Sequence, residues 1–201
     1  MLKEDNIKNI AKFVQYNWGD VISKFDYEKY PQDPYFCFLD SFSSLNASDE
    51  DICNALKWKW GHWRKSNFPA SHKRIIEEIQ KSLWPEFCKI NKSHGRLSAE
   101  ESFLWWRSCF HGKCYITAAF ITHLIYHKDG IPIIDQHNFR GMNSLILQEL
   151  PNFYFNKKPS KWEDVNNLSK FTIDLLKYMS GVSFLDVDKF LMMYGKHCVM
   201  R

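Results

Sequence analysis

The sequence predicts an all-α fold, and three observations support that prediction. Apolar residues recur at helical spacing along most of the chain, as in the segments 70–81 and 116–126. Ser-x-x-Asp and Ser-x-x-Glu signals at Ser48 and Ser98 are typical of capped helix starts. No segment alternates between apolar and polar residues for long enough to suggest a strand. We therefore expect about eight or nine helices.

The predicted helices follow one another along the whole chain. They cover residues 2–16, 51–59, 70–81, 98–109, 116–126, 135–148, 162–179 and 185–194. Gly19 is expected to interrupt the first of them, and Pro85 to end or kink the third. The segment 27–46 contains Pro31, Pro34 and a Ser/Asn cluster, which predict an ordered but irregular loop.

Length and composition restrict the class of protein. The chain has 201 residues, of which 45% are hydrophobic and 25% are charged, so disordered, collagen-like and coiled-coil classes are excluded. The net charge of +4 permits a polyanionic partner but is too small for binding driven by charge alone. Aromatic residues reach 16%, which is a high share. We expect a monomer whose single domain, residues 1–201, forms one compact unit or two packed lobes.

The cysteines and the start of the chain indicate a reducing compartment. Six scattered cysteines among apolar neighbours predict free thiols, most of them buried. There is no signal-peptide pattern and no apolar run long enough to span a membrane, so we expect a cytoplasmic protein without membrane contact. Cys109, His111 and Cys114 lack the second ligand pair that zinc requires, so no metal is predicted.

Two motifs within residues 104–142 carry the functional argument. In the first, Gly112 and Lys113 form a turn between two apolar helices. Such a turn permits a positive φ, and the helix that follows directs N–H groups towards a phosphate. A plain helix–helix turn with a solvated lysine explains the same residues. In the second motif, Asp135 follows an apolar run at a helix start, where an N-cap is the simplest explanation.

Together these motifs resemble the helix–hairpin–helix DNA glycosylase superfamily. The hairpin motif of that family, L-P-G-V-G-x-x-T-A, aligns without gaps with residues 110–118, where His111 and Cys114 replace the Pro and the second Gly. The family's Pro-apolar-apolar-Asp step aligns with residues 132–135, and His137 and Arg140 follow at the family's offsets. The segments 56–61 and 188–195 add a similarity to bacterial proteins related to the oxoguanine glycosylase fold.

The resemblance implies a helix–hairpin–helix glycosylase-like fold and a role for each matching residue. Asp135 would be the catalytic carboxylate. The DNA-binding residues would be Gly112, Lys113, Tyr115, Thr117, His137 and Arg140. Members of the family that form a Schiff base carry a lysine just before the threonine, where this chain has Ile116, so base excision without strand cleavage is implied. The implied partner is double-stranded DNA, including modified phage DNA, and no cofactor is implied.

The chemistry explains why these residue types are needed. Cleavage of an N-glycosidic bond builds positive charge on the sugar, which a carboxylate at a helix start can stabilise while it orients water. The target base must leave the stack and enter a pocket, where aromatic faces and amide groups suit it. The pocket candidates are Trp58, Trp60, Trp63, Gln136 and Asn138. The tryptophans alternate with basic residues, as on a nucleic-acid surface, but core packing explains them equally well.

Two further functions remain open at this point. The same scaffold can serve as a DNA-binding module without catalysis, and an all-α interaction protein needs no nucleic acid at all. For a glycosylase, the residues leave open whether it acts on hypermodified cytosine in phage DNA or on oxidised purines.

Overall fold

The computed structural model describes residues 2–93, 95–154 and 158–199, and these residues are mainly helical. The α-helices are α1 (Glu4–Ile22), α2 (Gln32–Ser43), α3 (Asp49–Lys59), α4 (Ala70–Glu78), α5 (Trp84–Ser93), α6 (Ala99–Cys109), α7 (Tyr115–Tyr126), α8 (Gln136–Glu149), α9 (Trp162–Leu176) and α10 (Phe184–His197). A π-helical turn, Ile79–Leu83, joins α4 to α5. Counted with that junction as one helix, the described residues form nine helices and no strand, so the predicted class and number are confirmed.

Short-range hydrogen bonds fix the helix starts that the sequence signals. Ser48 Oγ accepts from the Asp51 N–H at 3.1 Å, and the Asp51 carboxylate accepts in return from the Ser48 N–H at 2.9 Å. Ser98 and Glu101 make the same pair of bonds at 3.2 and 2.8 Å. Each exchange satisfies donors that a helix start leaves without partners, which confirms both capping signals.

The prediction of an irregular loop over residues 27–46 was wrong, because this segment contains α2. Its buried side chains follow one helical face and are Tyr35, Phe38, Leu39 and Phe42. Pro31 is the N-cap and Pro34 lies in the first turn. A residue in the first turn has no helical partner for its N–H, so the prolines are tolerated there.

The predicted interruption at Gly19 is absent, and the one at Pro85 is a local change of helix type. Helix α1 continues through Gly19 to Ile22, because one exposed helical glycine costs only about 1 kcal/mol and Val21 is buried beyond it. The helix that contains Pro85 continues to Ser93. The π-helical turn Ile79–Leu83 lies just before the proline, where the regular hydrogen-bond ladder has to change.

The helices form two compact units. Unit 1 contains residues 1–25 and 128–201, and unit 2 contains residues 26–127. The segment 104–142 is therefore divided, with the hairpin in unit 2 and Asp135 in unit 1.

Unit 1 is organised by a close approach of α8 to α10. A Cβ placed on Gly141 would collide with the backbone carbonyl of Leu191, and one placed on Gly195 would collide with the carbonyl of His137. The two glycines also face each other, since a Gly195 Cβ would lie 2.7 Å from the Gly141 nitrogen. Only residues without a side chain allow two helix backbones to come this close.

Unit 2 has an aromatic core. Trp106 and Phe87 are fully buried, with ring centroids 5.2 Å apart, and Trp84 stacks on Trp106 at 6.4 Å. Trp58 and Phe120 extend the core, with near-parallel rings at 6.0 Å. Much of the aromatic excess in the composition is thus hydrophobic core.

The thiols are more accessible than predicted. All six cysteines are free, but Cys37 and Cys198 are exposed and the other four are half-buried, so the expectation of mostly buried thiols was wrong. Phe38, Ile52, Phe87 and Phe110, each next to one of these cysteines, are buried, while the thiols themselves are not. Among the described residues, no helix has the length and apolarity to cross a bilayer.

Gly141→Ala is expected to destabilise the protein by roughly 3 kcal/mol, because the new methyl group meets backbone atoms that cannot rotate away. Gly19→Ala is the matched control. It lies in the exposed part of α1 with open space around it, and it should stabilise the protein by about 0.5–1 kcal/mol. Urea unfolding followed by circular dichroism measures both changes. Equal midpoints for the two variants would contradict the close approach of α8 and α10.

Candidate functional site

Asp135 is held at the start of α8 by a reciprocal capping arrangement. Its Oδ1 accepts from the N–H groups of His137 at 2.7 Å and of Asn138 at 3.2 Å. In return, Asn138 Oδ1 accepts from the Asp135 N–H at 2.8 Å. Asp135 is half-buried, and the two N–H bonds restrain its carboxylate. Backbone donors at a helix start stabilise a negative charge at this point.

A second, buried carboxylate supports the residues around Asp135. Asp188 on α10 is only 4% exposed. Its Oδ2 accepts from the Ile133 N–H at 2.7 Å, and its Oδ1 accepts from Asn138 Nδ2 at 2.9 Å. Asn138 Nδ2 also donates to the Ile133 carbonyl. Asp188 on α10 is therefore hydrogen-bonded to residues on both sides of Asp135.

The other predicted residues of this motif lie in different environments. Asn138 is 1% exposed, so it supports the backbone from inside and does not present its amide at the surface. Gln136 is exposed and His137 is half-buried. Arg140 donates from Nη1 to the Gly195 carbonyl at 3.1 Å, which satisfies an acceptor near the C-terminus of α10.

The hairpin between α6 and α7 has the left-handed backbone that a glycine-rich turn would have. Gly112 has φ +74°, and the residues that replace the family's Pro and second Gly, His111 and Cys114, have φ +50° and +53°. Cys114 is the N-cap of α7 and its side chain makes no capping hydrogen bond. A non-glycine residue in this conformation costs about 1–2 kcal/mol. His111 and Cys114 therefore adopt a backbone conformation that their own residue types disfavour.

The hairpin exposes some of its predicted DNA-binding residues and buries another. Gly112 and Lys113 are exposed, and Tyr115 is half-buried beside Arg107, whose guanidinium lies 5.5 Å from the tyrosine ring centroid. Thr117 is 5% exposed, so its side chain supports the hairpin from within unit 2. Burial raises the pKa of the Cys114 thiol, so a thiolate is disfavoured in this turn.

The three tryptophans of the predicted base pocket have different surroundings. Trp58 is 5% exposed, stacks on Tyr35 at 4.8 Å and donates from Nε1 to the Pro31 carbonyl at 2.9 Å. It therefore belongs to the core, which is the alternative that the sequence left open. Trp60 and Trp63 are half-buried. Trp60 stacks on His72 with ring centroids 4.0 Å apart.

Basic side chains surround the outer aromatic residues of unit 2. The Phe68 ring has the ammonium groups of Lys57 and Lys73 at 5.5 and 5.4 Å from its centroid. His62 Nε2 and His72 Nδ1 are 3.2 Å apart. Partial burial lowers the pKa of both histidines, and the pKa of His62 is lowered further by the neighbouring positive charges, so both rings are neutral at pH 7. The positive charge here comes from lysine and arginine.

Metal ligands do not cluster in the part of the chain that the structure describes. No group of three or more His, Cys, Asp or Glu side chains is arranged to hold a metal ion there. The half-buried thiols of Cys109 and Cys114 have pKa values raised by burial, which disfavours the thiolates that zinc binds.

Two important residues were not identified from the sequence. Asp188 has the same sequence context as any acidic residue near a helix start, and only its position against Ile133 and Asn138 reveals its role. His72 lies in the first turn of α4, and no pattern in the sequence predicts that its ring stacks on Trp60. Both contacts join residues more than ten positions apart.

No protein-family model, curated protein or solved structure matches this chain. The resemblance to DNA glycosylases rests mainly on residues 110–118 and 132–140.

Cys114→Gly is expected to stabilise the protein by about 0.5–1 kcal/mol, because glycine adopts the left-handed conformation without steric cost. Gly112→Ala, two residues earlier, should destabilise it by about 1 kcal/mol, since a Cβ there meets open space and only the backbone is strained. Thermal unfolding of the two variants measures these opposite shifts. Shifts of the same sign would contradict the positive φ angles of the hairpin.

Proposed function

We propose that this protein is a monofunctional DNA glycosylase, which hydrolyses the N-glycosidic bond of a flipped modified or damaged base and leaves an abasic site. The observation that carries the proposal is the arrangement of Asp135. Its carboxylate is restrained by two N–H groups of α8, and the adjoining backbone is anchored to the buried Asp188. A carboxylate held in this way is preorganised to face a positive charge that develops during a reaction.

In the proposed reaction the bond between C1′ and the base nitrogen breaks, and its electron pair leaves with the base. Asp135 stabilises the positive charge on the sugar and orients the attacking water. The water oxygen joins C1′, one of its protons is lost through Asp135, and the departing base gains a proton. Ile116 offers no amine for a Schiff base, so the strand stays intact.

The hairpin is proposed to bind the DNA backbone. Gly112 and Lys113 are exposed, and Cys114 leaves the N-terminus of α7 without a side-chain cap. N–H groups at such a helix start bind phosphate oxygens, and a neighbouring lysine adds charge. That His137 and Arg140 contact DNA remains a prediction. Arg140 also has a structural role, since it donates to the Gly195 carbonyl.

Trp60 and Trp63 are the remaining aromatic candidates for contact with an unstacked base, with Gln136 as an exposed amide in unit 1. The substrate classes are those that the sequence left open. A glycosylase of this kind would act in defence against phage DNA with hypermodified cytosine or in repair of oxidised purines, in the cytoplasm and as a monomer.

A second candidate function is a DNA-binding module without catalysis. It is favoured by one observation: Asp135 makes a complete capping box with Asn138, which is a sufficient structural reason for an aspartate at this position. The two functions differ in whether any base is released.

Asp135→Asn is expected to lower the rate of base release by about 10²–10⁴, because the amide cannot stabilise the sugar cation. Asparagine caps helices as well as aspartate does, so folding and DNA binding should be retained. The measurement is single-turnover release of free base from duplexes that carry hypermodified cytosines or oxidised purines, with alkali treatment to reveal abasic sites. Strand cleavage should appear only after alkali.

Asp129→Asn is the control for this experiment, since Asp129 is an exposed carboxylate in the same unit. It should release base at the wild-type rate. Wild-type protein that binds these duplexes without releasing a base would favour the non-catalytic module. Full activity in Asp135→Asn would remove Asp135 from the mechanism.

Lys113→Ala should weaken DNA binding equally for all sequences and reduce the slope of log affinity against log salt by about 1, because one phosphate contact is lost. Lys12→Ala, an exposed lysine on α1, is the control and should leave the slope unchanged. Fluorescence anisotropy at several salt concentrations measures both. If the two variants show identical slopes, the hairpin is not a phosphate contact.

A further inference from the structure

The positive charge of the protein is concentrated in one stretch of unit 2, residues 57–74, which we call the basic segment. It contains six of the 27 Lys and Arg residues and none of the 23 Asp and Glu residues. The rest of the chain holds 21 basic against 23 acidic residues, a net charge of −2, so the whole net charge of +4 arises from the basic segment. It runs from the last turn of α3 through an irregular loop into α4. Charge separated in this way is typical of a surface that binds a polyanion.

Most cations of the basic segment have no carboxylate partner. In the described part of the chain, no salt bridge involves Lys57, Arg64, Lys65, Lys73 or Arg74. Glu77, one turn beyond Lys73, is paired with Lys81 at 3.4 Å instead. Their charge is therefore not balanced within the protein.

The start of α4 adds positive charge to the same segment. Helix α4 begins at Ala70, and its first turn has neither an acidic residue nor a side-chain cap. Lys73 and Arg74 follow at once, although the helix dipole does not favour cations near a helix start. Lys29 approaches from outside the segment, since a Cβ on Gly61 would lie 3.2 Å from its Nζ. Phosphate groups would neutralise this excess at the side chains and at the helix start.

Several of these charges act on one point of the loop, the imidazole of His62. Burial lowers the pKa of His62, and the charges of His72, Lys65, Lys29 and Lys57 lower it further. A neutral imidazole contributes a ring to this surface without adding to the repulsion.

Aromatic rings lie among the cations. Trp60 stacks on His72 with ring centroids 4.0 Å apart, and His62 stacks on Phe68 at 5.9 Å. All four residues are half-buried, so each keeps part of its surface open. Two lysine ammonium groups lie within 5.5 Å of the Phe68 ring centroid. Rings and unbalanced cations thus share one surface.

The surface suits a nucleic acid better than a lipid bilayer. A protein that docks on an anionic membrane combines basic residues with apolar side chains that enter the acyl region. In the described residues, the exposed large apolar side chains all lie outside the basic segment, at Tyr16, Tyr27, Phe36, Leu104, Phe153, Tyr154 and Ile173.

We propose that the basic segment binds single-stranded nucleic acid, with its lysines and arginines on the phosphates and its half-buried rings against unpaired bases. A duplex keeps its base faces stacked inside the helix, whereas a single strand offers phosphates and base faces together, which is the combination that this surface matches. The proposal shares Trp60 with the proposed function but does not depend on it, because a single strand would bind whether or not a base is released.

The test is fluorescence anisotropy with labelled oligothymidylate of about 15 nucleotides, an unmodified duplex of equal length and heparin, a polyanion without bases. Lys65→Ala/Lys73→Ala should reduce the slope of log affinity against log salt by about 1.4 for oligothymidylate, because two phosphate contacts are lost. Trp60→Leu should weaken oligothymidylate binding about tenfold and leave the binding of heparin and of the duplex unchanged.

Lys89→Ala/Lys92→Ala is the matched control, since it removes two exposed lysines from α5 in the same unit and changes the net charge equally. It should leave the slope for oligothymidylate unchanged. A measurement on wild-type protein removes any dependence on how Trp60→Leu folds: oligothymidylate should shift the Trp60 indole N–H signal in a ¹H–¹⁵N spectrum, and heparin should shift it much less.

Four results would overturn the proposal. Oligothymidylate does not bind at low salt, even where phosphatidylserine vesicles do; the two double-lysine variants have equal slopes; Lys65→Ala/Lys73→Ala and Trp60→Leu weaken duplex binding as much as oligothymidylate binding; or the Trp60 indole signal stays in place. Base release is not measured here, so the outcome is independent of the test of Asp135.

Discussion

The backbone contact between α8 and α10 at Gly141 and Gly195 is the constraint on which unit 1 depends. Without side chains at these two positions, the helices approach closely enough for Asp188 on α10 to reach Asn138 at the start of α8. Asp188 also accepts from the Ile133 N–H, so the chain entering α8 is held as firmly as the helix itself. The position of Asp135 is thus a consequence of helix packing as well as of its own capping bonds.

Two carboxylates near the start of α8, those of Asp188 and Asp135, have different surroundings. Asp188 is buried and both of its oxygens accept hydrogen bonds from the backbone or from Asn138, so its role is structural. Asp135 is half-buried, and its Oδ1 accepts from two backbone N–H groups of α8. A buried polar side chain is tolerated when it is hydrogen-bonded, and the bonds of Asp188 also hold the backbone beside Asp135. Restraint of this kind is what electrostatic catalysis requires of a carboxylate.

The elements predicted correctly and those predicted wrongly differ in the range of the interactions that form them. The starts at Ser48 and Ser98 depend on residues three positions apart, so the pattern is complete in the sequence. Helix α2 was not predicted because its prolines were interpreted as breaks, although they occupy the N-cap and the first turn, where no helical hydrogen bond is lost. The predicted interruption of α1 at Gly19 was also wrong, because a single glycine does not end a helix whose neighbouring turns are packed. Its small cost is exceeded by the burial of residues on both sides.

The sequence by itself determined the all-α class and most helix starts, because these depend on local hydrogen bonds and on periodicity. Asp135 became the residue to examine through the resemblance to DNA glycosylases. Only the tertiary structure decided that Trp58 is core while Trp60 is half-buried, that Thr117 and Asn138 face inwards, and that Asp188 supports the candidate site. It also placed the Asn143 amide nitrogen where no other described residue accepts a hydrogen bond from it. Burial and pairing between distant residues depend on which helix faces meet, and that arrangement leaves no local pattern in the chain.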